Sequence, residues 1–383
     1  MVIRPFWIRR VQQAWQRKSL IWLSGVRRVG KTTLCKMLPD TVYLNCDLPS
    51  VQRQLEDPEL FYNGLSEQAT VIFDEVHRLL DPSLILKIGT DAYPHIKILA
   101  TGSSTLAASK KFRDSLTGRK IQIHLPPIIW PECTDTFQIN QLEKRLVFGG
   151  LPEMLLADEN DPTFYSEWID SFYARDIQEL FGIRNREGFL KLFRLVIRQS
   201  GSLLEVTHLS KLSGLSRPTV LAHLEAMEIS HVLFCLPPFH GGGRREITRR
   251  PKCYAFDTGF VAFVNGWDTL REHERGILWE HLVLDVLRIH HPKERIFYWR
   301  DKSQREIDFV LRRGADTVDA IEVKINPDAV NLNHFQAFRA LYPQGSNYVI
   351  SPSIKQGYRR QFGELLIHFT SLHEWHQQNT NLQ

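Results

Sequence analysis

The sequence has few sulfur-containing residues and no long apolar run. Its 383 residues include five cysteines and four methionines, and no two cysteines form a C-x-x-C pair. This spacing argues against a disulfide framework and against a zinc site. No apolar segment approaches the roughly 20 residues that a membrane-spanning helix needs. The first residues lack the apolar segment of a signal peptide, so we expect a cytoplasmic protein without a membrane partner.

The chain also lacks a large excess of either charge. The chain has 48 Lys and Arg against 43 Asp and Glu, a net charge of +5. This small excess permits a nucleic-acid partner but does not require one, so the positions of the basic residues matter more. Hydrophobic residues make up 43% of the chain, as in ordinary globular proteins. The length predicts two or three domains.

A glycine-rich motif of the form G-x-x-x-x-G-K-[ST] lies near the beginning of the chain. An apolar segment precedes it and a helix-like segment follows it, which is the context that this motif requires. Its backbone N–H groups would surround phosphates, Lys31 would reach the β- and γ-phosphates, and Thr32 would bind Mg²⁺. We therefore expect ATP or GTP, together with Mg²⁺, as cofactors. The predicted binding residues are Gly25, Val26, Arg27, Arg28, Val29, Gly30, Lys31, Thr32 and Thr33.

Two carboxylates, Asp74 and Glu75, end the apolar segment 71–73. A buried parallel strand brings its last residues to the same sheet edge as the glycine-rich loop. Asp74 would bind Mg²⁺ through water, and Glu75 would polarise the attacking water. This pair predicts a site that hydrolyses the nucleotide. The alternative is a strand that ends in acidic residues by chance.

Two further polar residues are candidates for the same chemistry. Ser103 follows the apolar segment 96–100 and would contact the γ-phosphate or the attacking water, although an ordinary Gly/Ser turn is the alternative. Arg119 precedes another apolar segment. It would act as an arginine finger for a neighbouring subunit, or it is an arginine on the solvated surface.

Four segments, LSGVRRVGKTTL, VIFDEVHR, ILATGSS and LTGRKIQIHLPPIIWPE, resemble the AAA-superfamily ATPases of archaea and bacteria that carry a C-terminal domain of unknown function. The resemblance covers nearly the whole chain. It implies an α/β core with a parallel sheet over residues 1–148 and a helical lid over 149–190. It also implies ATP as the nucleotide and a homo-oligomer, such as a hexameric ring.

The middle of the chain predicts a helix–turn–helix followed by a hairpin. Residues 206–213 and 217–225 have helical patterns, and 232–236 and 253–256 have strand patterns. The basic residues between the two strands are Arg244, Arg245, Arg249, Arg250 and Lys252. We interpret residues 191–258 as a winged helix that binds the DNA backbone by shape. The alternative is a winged helix that binds a protein.

The last third of the chain has four charged residues in a nuclease-like order. Glu280 lies on the apolar face of a helix, Asp308 lies on a strand, and Glu322 and Lys324 share one face of a neighbouring strand. This order resembles the PD-(D/E)xK nucleases. It implies a restriction-endonuclease-like α/β domain over residues 259–383, with Mg²⁺ held by Glu280, Asp308 and Glu322. Lys324 would orient the attacking water.

Two functions follow from these patterns. The first is an AAA-type motor that processes DNA, including branched DNA, while the C-terminal domain cuts it with Mg²⁺. The second is an ATP-dependent regulatory or defence switch. In that case Lys324 pairs with a carboxylate, and the inactive nuclease-like domain binds DNA or a protein partner.

Overall fold

A computed structural model describes residues 2–102, 110–240 and 250–380. The N-terminal part contains a five-stranded sheet in the order β2-β3-β4-β1-β5, with every strand pair parallel. The central strands are apolar because helices cover both faces of the sheet. The strands are β1 (Leu20–Ser24), β2 (Thr41–Asn45), β3 (Thr70–Asp74), β4 (Lys97–Thr101) and β5 (Lys120–His124).

The helices of this part pack around the sheet. Several begin with proline, which is tolerated in the first turn because its missing N–H would have no partner there. The P-loop connects β1 to the helix that follows it, as the sequence predicts. The helices are α1 (Pro5–Trp15), α2 (Lys31–Lys36), α3 (Pro49–Gln54), α4 (Pro58–Asn63), α5 (Pro82–Asp91) and α6 (Lys110–Leu116).

A second group of helices covers the carboxyl edge of the parallel sheet. A π-helical segment, Tyr173–Gln178, interrupts it. Such segments are rare and are frequently found at functional sites. The buried Trp168 stacks on Phe172 and Phe256, which joins this group to the unit that follows. The helices are α7 (Trp130–Asp135), α8 (Leu142–Phe148), α9 (Pro152–Leu155), α10 (Pro162–Phe172) and α11 (Glu179–Phe181).

The third unit has the predicted helix–turn–helix and hairpin. Gly214 in the turn has φ +75°, and Ser216 caps the second helix by accepting a hydrogen bond from the Thr219 N–H at 3.3 Å. The antiparallel sheet has the order β6-β8-β7, and Cys235 lies opposite Cys253 with their sulfur atoms 2.7 Å apart. The elements are α12 (Arg186–Arg198), β6 (Ser202–Leu203), α13 (Val206–Ser213), α14 (Arg217–Ile229), β7 (Leu233–Leu236) and β8 (Lys252–Ala255).

The C-terminal unit is a six-stranded mixed sheet in the order β13-β14-β12-β11-β10-β9. The predicted hairpin forms, with Phe309 opposite Ile321 in an antiparallel pair. The strands are β9 (Ile296–Arg300), β10 (Glu306–Arg312), β11 (Val318–Val323), β12 (Asn347–Ile350), β13 (Tyr358–Phe362) and β14 (Leu365–Thr370). The helices are α15 (Thr258–Asn265), α16 (Glu272–His290), α17 (Leu332–Arg339) and α18 (Leu372–Thr380).

One apolar core extends from Trp7 in α1 to Trp375 in α18 and includes residues of every unit. The units therefore pack against each other through buried side chains. Within the described ranges, no helix combines the length and the apolar character that crossing a membrane would require.

Candidate functional site

The P-loop has the backbone conformation that its glycines permit. Gly25 has φ +150°, and a Cβ atom at this position would lie 2.5 Å from the carbonyl oxygen of Leu125. Gly30 has φ +97° and precedes the first turn of α2. Lys31 folds back over the loop, where its Nζ donates to the carbonyl oxygens of Gly25 at 2.8 Å and Val26 at 3.1 Å. Burial lowers the pKa of Lys31, although Glu75 and Asp176 oppose this effect.

Asp74 lies beside the P-loop and accepts hydrogen bonds from three hydroxyl groups. Its Oδ2 accepts from Thr32 Oγ1 at 2.8 Å and from Tyr43 Oη at 2.6 Å, and its Oδ1 accepts from Thr101 Oγ1 at 2.5 Å. The neighbouring hydroxyl of Thr32 and carboxylate of Asp74 are oxygen donors of the kind that Mg²⁺ prefers, so these two residues fit a magnesium ion. Burial and the hydrogen bond to Asp74 raise the pKa of Tyr43.

Glu75 directly follows β3 and has a left-handed backbone conformation, with φ 57°. This conformation is uncommon for a residue with a side chain and is found at functional sites. The Glu75 N–H donates to Thr101 Oγ1 at 2.9 Å, and Glu75 Oε2 lies 3.2 Å from His77 Nδ1. Burial would raise the pKa of Glu75, but the hydrogen bond from His77 and the charge of Lys31 outweigh it and hold the pKa below its ordinary value.

A cavity of about 470 Å³ opens over the P-loop. The loop, the lid helices and the start of the chain line it, and Ser230 and Val232 enter it from the end of α14 and the residue before β7. Two predicted nucleotide-binding side chains form ion pairs with the lid. Arg27 Nε lies 3.0 Å from Asp176 Oδ2 in the π-helical segment, and Arg28 Nη1 lies 3.6 Å from Glu153 Oε2.

The other two predicted residues of the nucleotide site are not placed in this cavity. Ser103 lies outside the described residues. Arg119 precedes β5 at the amino edge of the sheet, opposite the edge that carries the P-loop. Its Nε and Nη2 contact the two carboxylate oxygens of Asp91 at 2.7 and 3.0 Å. Arg119 therefore cannot reach the nucleotide of its own subunit.

Three of the four nuclease-like residues lie together between β10 and β11. Lys324 Nζ is 2.6 Å from Glu322 Oε2 and 3.4 Å from Asp308 Oδ2. The Val323 N–H donates to Asp308 Oδ2 at 2.8 Å. Burial opposes ionisation of Asp308, but Lys324 and Lys252 outweigh it and hold the pKa of Asp308 below its ordinary value.

Glu280 has other partners. Lys252 Nζ, from β8, lies 3.3 Å from Glu280 Oε1 and 2.5 Å from Glu306 Oε1. Tyr254 Oη donates to Glu280 Oε1 at 2.5 Å. Lys252 was predicted to lie in the basic loop between the two strands, but it begins β8 and only 5% of it is accessible. Its apolar stem lies between β8 and the C-terminal unit. Three arginines of the same loop lie outside the described residues: Arg244, Arg245 and Arg249.

The predicted set of magnesium ligands in the C-terminal unit does not fit a metal ion in this arrangement. Glu280 contacts Lys252, and Asp308 and Glu322 contact Lys324, so each carboxylate is already next to a protein cation. In the ranges that the structure describes, no group of three His, Cys, Asp or Glu side chains is placed to hold a metal.

Sequence reasoning missed several partners of these two sites. His334, on α17, places Nδ1 3.4 Å from Glu322 Oε1, a close electrostatic contact that lacks the geometry of a hydrogen bond. This contact raises the pKa of His334. Tyr43 could have been found from its place on the strand beside β3. Lys252 and Tyr254 are two residues apart on β8, so their side chains lie on the same face of the strand. No pattern in the neighbouring sequence indicates that this face contacts Glu280.

The chain matches three family models. A model described as an AAA domain matches residues 17–134, and two models described as domains of unknown function (DUF8612 and DUF4143) match residues 139–271 and 275–372. The chain is similar to the uncharacterized protein Rv2008c of Mycobacterium tuberculosis, with 25% identity over 314 residues that cover 79% of this chain and 69% of the relative. It is also similar to the uncharacterized protein MJ1544 of Methanocaldococcus jannaschii, with 25% identity and coverage of 75% and 70%.

The chain also matches two solved structures at low similarity. A RuvB variant of Thermotoga maritima has a TM-score of 0.32 at 14% identity and covers 62% of this chain and 90% of its own. The McrB AAA+ hexamer of Thermococcus gammatolerans with bound McrC has a TM-score of 0.27 at 12% identity and covers 69% and 80%. These scores are too low to support a functional argument. Residues 17–134 match the AAA domain model, and within them Lys31, Thr32 and Asp74 have the arrangement of a P-loop nucleotide site.

Proposed function

We propose that this protein hydrolyses ATP and uses the hydrolysis cycle to control its binding to DNA. The observation that carries the proposal is the position of Glu75, an acidic side chain at the carboxyl end of β3 beside Lys31 and Asp74. A group in this place can polarise a water molecule for attack on the γ-phosphate. Its lowered pKa keeps it ionised at neutral pH.

Each residue of the nucleotide site has a separate task in this proposal. Lys31 leaves the carbonyl oxygens of the P-loop and binds the phosphates. Thr32 and Asp74 hold Mg²⁺, which would neutralise charge on the phosphate oxygens. Glu75 holds the attacking water. Ser103 stays a predicted contact to the γ-phosphate.

Arg119 supports the proposal that several copies of the chain assemble, such as in a hexameric ring. Because Arg119 lies at the sheet edge opposite its own P-loop, it can contact only the nucleotide of a neighbouring subunit. During assembly its guanidinium would have to leave Asp91 and contact the γ-phosphate of the nucleotide in the neighbouring subunit.

The third unit supports DNA as the partner. We propose that residues 191–258 are a winged helix, with α14 as the helix nearest DNA. The exposed face of α14 carries Arg217 and Leu221 but few groups that read bases, which favours contact with the backbone. Lys191 and Arg194 are exposed on the neighbouring α12, and they line a groove together with Arg198. Such basic side chains suit phosphate contacts.

The nucleotide cavity supports coupling between ATP and this unit. Ser230 and Val232 belong to the helix–turn–helix and hairpin unit, yet they line the cavity above the P-loop. A nucleotide there would contact both units, so its binding and release can change their relative position. This arrangement gives a physical route from the ATPase cycle to DNA binding.

The C-terminal unit has two candidate roles within this function. It cuts DNA with Mg²⁺, or it is an inactive nuclease-like domain of a regulatory or defence switch that binds DNA or a protein. The pairing of Lys252 with Glu280 and of Lys324 with Glu322 favours the second role. Carboxylates next to ammonium groups are poor ligands for a metal unless those groups move away.

The test combines ATP hydrolysis with DNA binding. ATPase activity is measured without DNA and with duplex, single-stranded and four-way-junction DNA, and strand scission is followed on gels in the same reactions with Mg²⁺. We expect ATP hydrolysis that at least one DNA form stimulates. No stimulation by any of the three forms, together with no nucleotide-dependent DNA binding by fluorescence anisotropy, would contradict the proposal.

A paired set of variants tests the DNA-binding surface. Lys191→Ala/Arg194→Ala removes two exposed charges of α12. Arg53→Ala/Lys87→Ala removes two exposed charges of the ATPase domain as the control. We expect weaker DNA binding in the first variant alone. In that variant, the slope of the logarithm of the binding constant against the logarithm of the salt concentration should become shallower by about 0.9 for each lost phosphate contact. Equal DNA binding by both variants would exclude this face of α12 as a DNA-binding surface.

A further inference from the structure

The carboxylates of the C-terminal unit form one acidic cluster, which we define as Glu280, Glu306, Asp308 and Glu322. The ammonium groups of Lys252 and Lys324 contact this cluster, and Arg300 Nη1 lies 3.2 Å from Glu306 Oε2. Glu322 is 1% exposed on its side chain, and Glu280 is 15% exposed. Charges this far from water need partners, because transfer of an unpaired carboxylate into a protein interior costs several kcal/mol.

Lys252 differs from the other cations of the acidic cluster in its origin. Lys324 directly follows β11 and completes the Glu-x-Lys pattern, whereas Lys252 comes from β8 in a different unit of the chain. Its ammonium group lies between Glu280 and Glu306, and its side chain is 6% exposed. Tyr254, two residues further along the same face of β8, donates to the same oxygen of Glu280. Two side chains of one strand therefore hold Glu280.

A divalent cation and Lys252 would compete for the same oxygens. A metal bound by Glu280 together with Asp308 needs the space and the negative charge between these side chains. The buried ammonium of Lys252 contacts Glu280 Oε1 and takes up this charge. Bringing a second, doubly charged cation next to it would place like charges within a few ångströms in a site that water screens poorly.

We propose that Lys252 is the resident cation of the acidic cluster and takes the place of the divalent metal that a nuclease site of this kind would hold. β8 delivers the ammonium group, so the metal is excluded for as long as the Lys252 side chain lies between Glu280 and Glu306. The acidic cluster then joins the helix–turn–helix and hairpin unit to α16 and β10, and it does not cut DNA. Exclusion of the metal by Lys252 requires neither ATP hydrolysis nor DNA binding.

The first experiment needs no change at Lys252. Nucleotide-free protein and its Asp308→Asn variant are titrated with Mn²⁺, and free Mn²⁺ is measured by electron paramagnetic resonance. Comparison of the two isolates the acidic cluster, because Mn²⁺ bound at Thr32 and Asp74 contributes equally to both. We expect identical curves. A binding site in the wild-type protein that Asp308→Asn abolishes would overturn the proposal.

The second experiment removes the resident cation. Lys252→Met keeps the apolar stem and deletes the charge, and Lys293→Met is the matched control. Lys293 is also paired with a glutamate, with 2.7 Å between its Nζ and Glu228 Oε1, but it is 49% exposed. We expect Lys252→Met to bind Mn²⁺ at least about tenfold more tightly than Lys293→Met, and the double variant with Asp308→Asn to lose this gain.

Each outcome of the second experiment is informative. A folded Lys252→Met protein, checked by circular dichroism, that binds no more Mn²⁺ than Lys293→Met overturns the proposal. Thermal stabilisation of Lys252→Met by Mn²⁺, absent from the wild type, supports it independently of any nuclease assay. If Lys252→Met does not fold, the comparison of wild type with Asp308→Asn decides alone.

Discussion

The two carboxylate sites of this chain differ in the groups that surround them. At the nucleotide site, Asp74 accepts hydrogen bonds from the hydroxyls of Thr32, Tyr43 and Thr101. In the acidic cluster, Glu280 and Glu322 contact the ammonium groups of Lys252 and Lys324. A hydroxyl orients a carboxylate and leaves its charge available to a cation, whereas a lysine neutralises it. In our proposal the first site binds Mg²⁺, whereas in the second site lysine ammonium groups already contact the carboxylates.

This difference has an energetic basis. Two opposite charges about 4 Å apart near a protein surface interact by about 4 kcal/mol at an effective dielectric constant of 20. A hydrogen bond from a hydroxyl to an ionised carboxylate contributes about 1.5 kcal/mol net. Replacing one hydroxyl partner of Asp74 with Mg²⁺ therefore costs less than displacing Lys252 from its carboxylates.

The largest effect is expected at Glu75. Glu75→Gln keeps the shape of the side chain but removes the charge that polarises water, so we expect hydrolysis to fall by about 10²- to 10⁴-fold. ATP binding should persist, because Lys31 and Thr32 are intact. Steady-state ATPase rates and ATP dissociation constants measure the two effects. Glu67→Gln, at an exposed acidic residue before β3, is the control. Hydrolysis by Glu75→Gln at the wild-type rate would contradict the role of Glu75.

The second largest effect concerns stability in the acidic cluster. Lys324→Met leaves Glu322, which is 1% exposed on its side chain, without its closest cation. Breaking a buried pair from one side leaves an uncompensated charge, so we expect the free energy of unfolding to fall by about 3 kcal/mol. Urea denaturation at neutral pH measures this change. Lys355→Met, at an exposed lysine of the same unit, should change stability little.

ATP hydrolysis provides a second readout of Lys324→Met. If the acidic cluster is structural, the folded fraction of Lys324→Met should hydrolyse ATP at the wild-type rate. A stable Lys324→Met protein that loses metal-dependent DNA cleavage would instead show that the acidic cluster is catalytic. This result would remove the contrast between the two sites.

Local sequence patterns were sufficient to predict the site residues that are contiguous in sequence or lie on one hairpin. The P-loop, together with Asp74 and Glu75, follows from short motifs whose strand and helix context fixes their placement. Asp308 lies on β10, and Lys324 directly follows β11, the strand that pairs with β10 across a short turn. Because side chains alternate between the two faces of a strand, the sequence predicts that these two residues meet. The parallel sheet of the α/β core, which the resemblance to AAA-superfamily ATPases implied, is present in the structure.

Sequence reasoning did not find the partners that arrive from distant parts of the chain. Lys252 meets Glu280 and Glu306 only because β8 packs against α16 and β10, and no local pattern encodes that packing. The same basic residue suits an exposed wing and a buried ion pair equally well in sequence. Asp176 likewise meets Arg27 only through the π-helical segment of the lid.

A smaller effect is expected at Tyr43, which tests whether neutral donors prepare Asp74. Tyr43→Phe removes one of the three hydroxyl donors and little volume. The loss of about one hydrogen bond to a charged group, near 1.5 kcal/mol, should lower magnesium-dependent hydrolysis by about tenfold. Tyr93→Phe is the control, because Tyr93 Oη lies 2.8 Å from Asn63 Oδ1, away from the nucleotide. Identical magnesium dependence in both variants would exclude a role for Tyr43.

The smallest effect is a change in pH dependence at Glu75. The hydrogen bond from His77 and the charge of Lys31 hold the pKa of Glu75 below the ordinary value of 4.5 despite burial. Because the folded-state pKa is depressed, this interaction stabilises the protein above pH 4.5, and the contribution is lost as the pH falls through the folded-state pKa. His77→Gln removes the imidazole that hydrogen-bonds to Glu75 and should raise the pKa of Glu75.

The acidic limb of the ATPase profile should therefore move to higher pH in His77→Gln, while the rate near neutral pH changes little. The measurement is kcat/KM between about pH 4 and pH 7. His95→Gln, at an exposed histidine of the same domain, controls for general effects of losing an imidazole. An acidic limb that moves equally in both variants, or in neither, would show that His77 does not tune Glu75. A shift confined to His77→Gln would show that Glu75 depends on the neighbouring imidazole of His77, whereas the hydrogen-bond partners of Asp74 are hydroxyl groups.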